Sequence, residues 1–479
     1  MKRKLSSLIM ALTGIALLAS CGGNNTPAKS DDELWICAYN GGYGEQWLKD
    51  VCEAFTEKTG IPVHYDVSTS LLDTLESSLK NGSDYDLFMS HDIPWQRFAA
   101  NGYLANLDDL YTTAVDGFSG TFKDRLVEGA ADLSKIAGED GTEHYYKVPY
   151  TQGAGGFIYN VKMFQDNGWS VPTTYDELVT LCQTIIDAKI QVGARETVKP
   201  FAWAGKDRQY YWDYPMFEWW YQLAGKEKWE TIKAYKGSDG TYAKGYEVYD
   251  PANGYKEFYQ AYDMWWNLIA NNSANSTTTS YSDTIASARA NFILGKAAMI
   301  PYASWGKYEL EQTNEGPLDF DIALMKTPKA TAESEEVNFM VGFGDSMIVP
   351  SASTHQDLAK RFLNFMATAK AGEIFVKDTE GSFLAFDYSD VDLSAIENGD
   401  TYIKSIHQKL SNTNISIVST NPITYLTTNK VMPWAGNTYY YDKAASEPAS
   451  YTSAIIGETM YGEVKSGWAS WLKTAGLSD

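Results

Sequence analysis

Residues 34–89 read LWICAYNGGYGEQWLKDVCEAFTEKTGIPVHYDVSTSLLDTLESSLKNGSDYDLFM. The stretch starts with an apolar run at 34–38, and residues 45–58 then repeat apolar side chains every three or four positions, as on one face of a helix. Residues 61–67 alternate apolar and polar side chains, which is typical of a half-buried strand. A second helical pattern and a third apolar run complete the stretch. This order predicts an α/β fold with a mainly parallel sheet flanked by helices.

The loops that follow the first and third predicted strands are candidate ligand-binding segments. Ligands of open α/β sheets bind beyond the carboxyl ends of the strands. The first of these loops contains Asn40 and Tyr43, and the second contains Asp92 and Trp95. We therefore predict that these four residues bind a ligand.

The start of the chain has the pattern of a secretory signal peptide. Basic residues at 2–4 precede an apolar run at 8–18, which is too short for a membrane span. Residues 18–21, Leu-Ala-Ser-Cys, resemble the lipobox of bacterial lipoproteins. The resemblance implies a signal peptide at 1–20, acylation of Cys21 as a membrane anchor, and a flexible tether at 21–32. An ordinary secreted protein is the alternative.

Composition narrows the class of protein and of partner. A chain of 479 residues is long enough for two domains, and its formal net charge of -22 disfavours nucleic acid and anionic lipid as partners. Cys37, Cys52 and Cys182 lie in apolar patterns, so we expect buried free thiols, although a bridge between Cys37 and Cys52 stays open. The sequence has no CxxC or histidine-spaced metal pattern, and we expect no cofactor and no metal.

The rest of the chain continues the alternation of strands and helices. A glycine-interrupted apolar strand at 147–160 suits a bend between two lobes. The segment 203–266 is rich in tryptophan and tyrosine, and its adjacent tryptophan pairs at 219–220 and 265–266 are predicted to pack between helices. The insertion at 225–255 is predicted to be a hairpin or a long loop.

A series of short segments, taken in order, resembles the extracellular solute-binding proteins of ABC importers, in the group that includes the maltose-binding protein. Besides the lipobox, the matching segments are FTEKTGIPV (55–63), YDLF (85–88), GYLANLD (102–108), VPY (148–150) with FIYN (157–160), Gly168 with PTTYDEL (172–178), FILGKAAM (292–299) and VPS (349–351). The resemblance runs from Cys21 to about Ala369 and is loose over 370–479.

The resemblance implies two α/β lobes with a ligand in the cleft at the hinge between them. Lobe 1 would span 33–150 and 326–385, and lobe 2 would span 151–325 and 386–479. It also implies a monomer outside the cytoplasm, lipid-anchored at the bacterial cell surface or in the periplasm, that delivers its ligand to membrane permease subunits. A separate ATPase would supply the energy, so no nucleotide site is expected.

The aromatic content points to a carbohydrate ligand. Sugar rings have apolar C–H faces and a rim of hydroxyls, so they need flat aromatic rings and planar polar groups. The chain has 15 Trp, 33 Tyr and 19 Phe, many of them in loops at predicted strand ends. Across the cleft we therefore add as candidates Tyr150, Trp203, Trp305, Phe343, Asp345 and Trp434. The resemblance favours Trp305 most, because the family often carries an aromatic residue just beyond Gly-Lys-Ala-Ala-Met.

Other ligands and an enzyme are the alternatives. Neighbouring tyrosines such as Tyr210 and Tyr211 suit a ferric ion, and an acidic cleft suits a polyamine; a peptide is also open. The nearby tryptophans do not ligate metals and favour a sugar.

A glycan-degrading enzyme lacks support, because nothing in the sequence fixes a carboxylate pair, and the G-x-S-x-G elbow and a phosphate loop are absent from it. We expect a binding protein with no catalytic residues. A non-transport adhesin is supported only by the predicted surface location.

Overall fold

The computed structural model describes residues 30, 32–39, 41–91, 93–138, 141–206, 211, 213–252, 256–270, 272–339, 345–397, 399–411, 415–417, 453–475 and 477. The predicted site residues Asn40, Asp92, Phe343 and Trp434, together with the predicted anchor Cys21, lie outside the described residues. Over the ranges given above, no helix combines the length and apolar character that a membrane span requires.

Strands and helices alternate along most of the described chain. The strands are β1 (Leu34–Tyr39), β2 (Val63–Ser68), β3 (Leu87–Ser90), β4 (Lys135–Ala137), β5 (Glu143–Tyr145), β6 (Val148–Pro149), β7 (Thr151–Gln152), β8 (Gly155–Asn160), β9 (Gln191–Val192), β10 (Glu196–Thr197), β11 (Lys199–Phe201), β12 (Ala297–Ala303), β13 (Ile322–Met325), β14 (Val337–Phe339), β15 (Ser346–Ile348), β16 (Phe383–Leu384) and β17 (Ile415–Ile417).

The α-helices are α1 (Gln46–Thr59), α2 (Leu71–Asn81), α3 (Trp95–Ala100), α4 (Asp108–Thr112), α5 (Phe122–Arg125), α6 (Val161–Asn167), α7 (Tyr175–Ala188), α8 (Asp213–Ala224), α9 (Lys226–Lys233), α10 (Lys256–Trp265), α11 (Ile285–Ile293), α12 (Gly306–Thr313), α13 (Gln356–Met366), α14 (Ala369–Asp378), α15 (Ser394–Glu397), α16 (Thr401–Ser411) and α17 (Ser453–Ala475). Two 3₁₀ helices, Ala131–Ser134 and Tyr242–Tyr249, and a π-helical turn, Trp266–Ala270, complete the set in the described ranges.

The first lobe is built on sheet I, whose strand order is β2-β1-β3-β15-β6. Strand β1 pairs in parallel with β2 and β3, whereas β15 pairs antiparallel with β3 and β6. Helix α1 packs its predicted apolar face inward, and Gly60 ends it in the left-handed conformation that glycine adopts without strain. The strand-helix-strand-helix-strand prediction for this stretch is confirmed, with element ends within two residues of those expected.

The second lobe is built on sheet II, whose strand order is β11-β12-β8-β13. Only the β11–β12 pairing of this sheet is parallel, and β8 is antiparallel to both of its neighbours. The expectation of mainly parallel sheets is therefore wrong for sheet II and only half right for sheet I. The reason is the path of the chain. Strands β8 and β15 enter their sheets from the segments that connect the lobes, whereas neighbouring strands such as β6 and β13 lead out into those segments. Strands β8 and β15 therefore run antiparallel to these neighbours.

The core of the second lobe is unusually aromatic. Trp219, Trp220, Trp265 and Trp266 are at most 2 % exposed, which confirms the prediction that these tandem pairs pack between helices. Helix α17 lies on the 3₁₀ helix Tyr242–Tyr249 within the same lobe.

The insertion at 225–255 differs from its prediction. Its described part, 225–252, forms helix α9 and the 3₁₀ helix Tyr242–Tyr249 instead of the predicted hairpin or long loop. The sequence Lys-Glu-Lys-Trp-Glu at 226–230 consists mainly of helix-forming residues. Trp229 and Ile232, three positions apart, are both buried on one face of the helix, which anchors α9 to the core.

Three described segments connect the two sheets. The first, 150–154, contains β7; the second, described over 326–339, contains β14; and the third, after α14, contains β16, which pairs with β7. One buried apolar cluster is continuous from Ile36 of sheet I through Ala154 to Ile300 of sheet II. The lobes are therefore packed together near these segments.

A buried ion pair lies where the connecting segments meet. Lys409 of α16 and Glu218 of α8 are 3.0 Å apart, and each side chain is 1 % exposed. The Lys409 ammonium also donates to the carbonyl of Gly155, just after the first segment, and the Glu218 carboxylate accepts from the backbone N–H of Phe339, in the second segment, at 2.8 Å. The ion pair thus ties parts of the connecting region together.

The three cysteines are buried and free, as expected. The open alternative, a bridge between Cys37 and Cys52, is not formed. Burial raises the pKa of the Cys37 thiol to about 11, so it stays protonated near neutral pH.

Candidate ligand-binding site

The loop that follows β1 contacts the start of α12 in the other lobe. A Cβ atom placed on Gly42 would lie 3.2 Å from Cδ1 of Trp305, and one on Gly44 would lie 2.5 Å from the hydroxyl of Tyr308. Gly44 also has a positive φ of 67°, a conformation that other residues adopt only with strain. The glycines at 42 and 44 therefore let the backbone of the first lobe approach α12 closely.

Aromatic rings from both lobes meet behind this loop. The ring of Tyr43 lies 5.8 Å from that of Tyr150 and 6.4 Å from that of Trp305, in each case edge to face. Phe375 of α14 packs against Tyr43 at 5.6 Å. The structure thus brings three of the predicted site residues together, two from the first lobe and its junction and one from the second.

A short chain of hydrogen bonds links this aromatic group to a carboxylate. The hydroxyl of Thr151 donates to Oδ2 of Asp345 at 2.9 Å, and the Tyr43 hydroxyl lies 3.0 Å from the same Thr151 oxygen. Because Thr151 has only one hydroxyl proton, Tyr43 is the donor of the second bond. Burial, and then the charge of Asp345, raise the pKa of the Tyr43 phenol well above its usual value, so it remains neutral. Asp345 is thereby part of the same group.

The Trp305 indole is held from the side of the second lobe. Its N–H donates to the hydroxyl of Tyr211 at 3.1 Å, and that hydroxyl donates to Oε2 of Glu309 at 3.2 Å. Arg289 and Tyr302 donate to the same carboxylate oxygen. Burial raises the pKa of the Tyr211 phenol, which therefore keeps its proton.

Trp95 packs in a different apolar cluster from the Tyr43 group and contacts the buried amine of Lys147. It starts helix α3, is 5 % exposed, and has the ammonium of Lys147 5.2 Å from its ring centroid. Burial lowers the pKa of Lys147 to about 7, although the charge of Asp345 acts in the opposite direction. Trp95 is therefore connected to the site through Lys147, but it is not among the rings that meet at Tyr43.

Trp203 lies apart from the other candidates. It is 2 % exposed in the core of the second lobe, with its ring 6.0 Å from that of Trp265. Position at the end of a predicted strand does not separate such a core tryptophan from one that faces a cleft. Of the ten predicted site residues, the structure groups Tyr43, Tyr150, Trp305 and Asp345, and four lie outside the described residues.

The sequence prediction missed the polar partners of these residues. Thr151 follows Tyr150 directly and is 1 % exposed. Glu309 is four residues after Trp305, one turn along α12, a spacing that signals a shared helical face. Arg289 and Tyr211 come from distant segments and carry no such local signal. Among the described residues, no group of three or more His, Cys, Asp and Glu is placed to hold a metal ion.

The site offers flat rings for stacking and carboxylates for hydrogen bonding at one place between two lobes. Within the group the phenols of Tyr43 and Tyr211 donate to Thr151 and Glu309, and the carboxylates of Asp345 and Glu309 supply the acceptor oxygens. Such an arrangement suits recognition of a ligand with both apolar faces and hydroxyl groups.

Comparison with known proteins agrees with this architecture. Residues 40–373 match the family described as bacterial extracellular solute-binding protein. The multiple sugar-binding protein of Streptococcus mutans is 26 % identical over 400 residues, which cover 79 % of this chain and 81 % of that protein. The ligand-free structure of RafE from Streptococcus pneumoniae has a TM-score of 0.63 at 16 % identity, covering 92 % of this chain and 99 % of that chain. RafE in complex with raffinose has a TM-score of 0.58 at 17 % identity, covering 90 % and 100 %.

These likenesses confirm the two-lobe α/β fold and the predicted resemblance. The chain belongs to the bacterial extracellular solute-binding protein family.

Proposed function

We propose that this protein is the solute-binding subunit of an ABC importer and that it binds a carbohydrate between its two lobes. The observation that carries the proposal is the meeting of Tyr43 and Tyr150 with Trp305, from opposite lobes, beside the carboxylate of Asp345. Aromatic rings stack on the C–H faces of a sugar, and a carboxylate accepts its hydroxyl protons. A relative named for several sugars and a fold relative solved with raffinose support the same ligand class.

The lobes supply different halves of the site, which gives binding a conformational consequence. A ligand that contacts both lobes favours the closed arrangement, because it makes more contacts there than in an open one. We take lobe 1 to comprise 33–150 and 326–385, and lobe 2 to comprise 151–325 and 386–479. The closed form would present both lobes to permease subunits, and the protein would act as a monomer.

The site residues are proposed in two groups. Tyr43, Tyr150, Trp305 and Asp345 are proposed to contact the ligand, since the structure groups them. Trp95 is proposed to line the same cleft through its contact with Lys147. Asn40, Asp92, Phe343 and Trp434 stay predictions from the sequence, and Trp203 has the weakest support, because it is buried among core rings.

The family acts outside the cytoplasm, and we propose in addition a lipid anchor. The lipobox-like residues 18–21 and the polar tether 21–32 support attachment of acyl chains to Cys21. Anchoring would keep the protein close to the permease at the bacterial cell surface or in the periplasm.

Other ligands remain testable rivals. A polyamine would suit an acidic cleft, a ferric ion would suit neighbouring tyrosines, and a peptide is the third alternative. We propose that the protein has no enzymatic activity; its family and relatives are binding proteins.

A thermal-shift screen of residues 22–479 tests the proposal. The panel would hold raffinose, stachyose, maltotriose, a chitin oligosaccharide, spermidine, a tripeptide and ferric citrate. A ligand bound only by the folded state raises stability by about 2.7 kcal/mol at a concentration 100 times Kd. We expect a shift confined to saccharides, with the sugar recovered unaltered. A shift with spermidine or iron alone would contradict the carbohydrate assignment, and conversion of a sugar to products would contradict the binding-protein assignment.

A further inference from the structure

Contacts from both lobes orient the indole of Trp305. An indole N–H is a donor only, and this one donates to the Tyr211 hydroxyl at 3.1 Å. The bond turns the N–H edge of the ring into the second lobe. Gly42 of the first lobe lies against the five-membered ring, where a Cβ would be 3.2 Å from Cδ1. These two contacts fix the orientation of the half-buried ring.

The direction of the hydrogen bonds around Tyr211 is set by Glu309. A carboxylate can only accept, so the Tyr211 hydroxyl must give its proton to Glu309 and present a lone pair to the indole. The same carboxylate oxygen accepts from Tyr302 and from Arg289, and Arg289 in turn donates to the Tyr302 hydroxyl. Glu309 therefore accepts directly from Tyr211, Tyr302 and Arg289, and the Trp305 N–H is linked to it through the Tyr211 hydroxyl.

The network is a built arrangement and not a chance contact. Tyr211 is 8 % exposed and has φ of 71°, a left-handed conformation that is uncommon for a residue other than glycine. Such conformations persist where the surroundings fix them, and they concentrate at functional sites. Its ring stacks on that of Tyr302 at 4.1 Å. Glu309 and Arg289 are 18 % and 16 % exposed, so solvent screens their pairing only in part.

We propose that Glu309 is a positioning residue which, through Tyr211, fixes the orientation of Trp305 for stacking on the ligand. The predicted effect of Glu309 on ligand affinity rests on the carbohydrate-binding function proposed above. Its predicted effect on the orientation of the indole does not depend on that function. A glutamine at position 309 could donate as well as accept, so the Tyr211 hydroxyl would lose its fixed direction.

The first test needs no ligand. In ¹⁵N-labelled residues 22–479, the indole N–H signal of Trp305 is identified by its loss in Trp305→Phe. We expect Glu309→Gln and Tyr211→Phe each to move this signal and to speed exchange of its proton with solvent by roughly 3- to 10-fold, the loss of one hydrogen bond. Tyr211→Phe keeps the ring stack and removes only the hydroxyl, so it serves if Glu309→Gln does not fold.

The matched control is Glu315→Gln, which removes the same charge just beyond α12 at an exposed position. We expect it to leave the Trp305 signal in place. An unchanged signal in both folded Glu309→Gln and folded Tyr211→Phe would overturn the positioning role.

The second test measures raffinose affinity by calorimetry. We expect Tyr211→Phe to weaken binding roughly 3- to 10-fold in the wild-type background and to have no effect in Trp305→Phe, which has no indole N–H. An equal effect in both backgrounds would show that Tyr211 acts independently of Trp305 and would overturn the proposal. Failure of the wild-type protein to bind any saccharide would instead count against the proposed function, and the indole signal would still decide the positioning role.

Discussion

Replacing Lys409 by methionine should strongly destabilise the protein. Methionine keeps most of the side-chain volume but removes the ammonium, which leaves the Glu218 carboxylate 1 % exposed and without this cation. The variant also loses the bond from the ammonium to the Gly155 carbonyl. Breaking a buried ion pair by removing one partner costs about 3 to 5 kcal/mol, because the remaining charge stays buried. We expect a loss of that size in the free energy of unfolding.

The double variant Glu218→Gln/Lys409→Met separates the charge from the packing. Glutamine keeps an oxygen that can accept from the backbone N–H of Phe339, so the neutral pair leaves no uncompensated charge. We expect the double variant to recover at least about 2 kcal/mol relative to Lys409→Met, a coupling energy typical of residues in direct contact. Lys162→Met is the control, since its pair with Asp166 is exposed and should contribute less than about 1 kcal/mol.

Urea unfolding of residues 22–479, followed by tryptophan fluorescence, measures these differences. The reasoning would be refuted if Lys409→Met lay within about 1 kcal/mol of the wild-type protein. It would also fail if the double variant were no more stable than the single one, because the charge would then not be the cause.

Four further predictions concern the ligand site, the loop after β1, the pH dependence of stability, and the membrane anchor. Trp305→Ala should abolish stabilisation by saccharide in a thermal-shift assay while the free protein stays folded, and an unchanged shift would remove this residue from the site. Gly44→Ala should lower the free energy of unfolding more than Gly60→Ala. Both glycines have a positive φ, which costs an alanine about 1–2 kcal/mol, but only at position 44 would the added Cβ lie 2.5 Å from a tyrosine hydroxyl. Equal losses in the two variants would contradict the close contact at Gly44. Burial, and then a neighbouring carboxylate of α12, raise the pKa of Glu380 from 4.5 to about 7. Between these two pH values the folded state holds a proton that the unfolded state has released. The free energy of unfolding should therefore fall by at most about 3 kcal/mol as pH rises from 4.5 to 7. Glu380→Gln should flatten this dependence in pH-resolved melting curves, and an unaltered slope would argue against it. Cys21→Ser should move the protein from the membrane to the soluble fraction, and continued retention in the membrane would refute the anchor.

Local periodicity was enough to predict the first part of the fold. Spacing alone predicts the apolar face of α1, and Trp47, Val51 and Phe55 on that face are buried. Strand direction could not be read in the same way, because it depends on how β8 and β15 enter their sheets from the other lobe. That is a property of the whole chain path and not of any window of sequence.

The residues of the candidate site likewise differ in whether local sequence can predict them. Tyr43 is a candidate because it lies in the loop after a predicted strand, Asp345 because it is a planar polar group placed across the cleft, and Trp305 mainly because of the family resemblance. In the sequence Tyr211 stands out only as part of a tyrosine pair, because its bonds to Trp305 and Glu309 join segments far apart in sequence. Trp203 shows the opposite limit: its sequence context matches a cleft residue, but the side chain packs in the core.

The strand order of sheet I also constrains how the protein reaches its native state during synthesis. Strands β3 and β6 have no pairing with each other, and each is completed by β15, which lies between them. A nascent chain that has not yet reached Ile348 therefore carries unpaired strand edges in its first lobe, however long ago those strands were made. Pairing over such a sequence separation is slow, and the intermediate is open to wrong pairings with other chains. The first lobe thus becomes a finished unit only after most of the second has been synthesised.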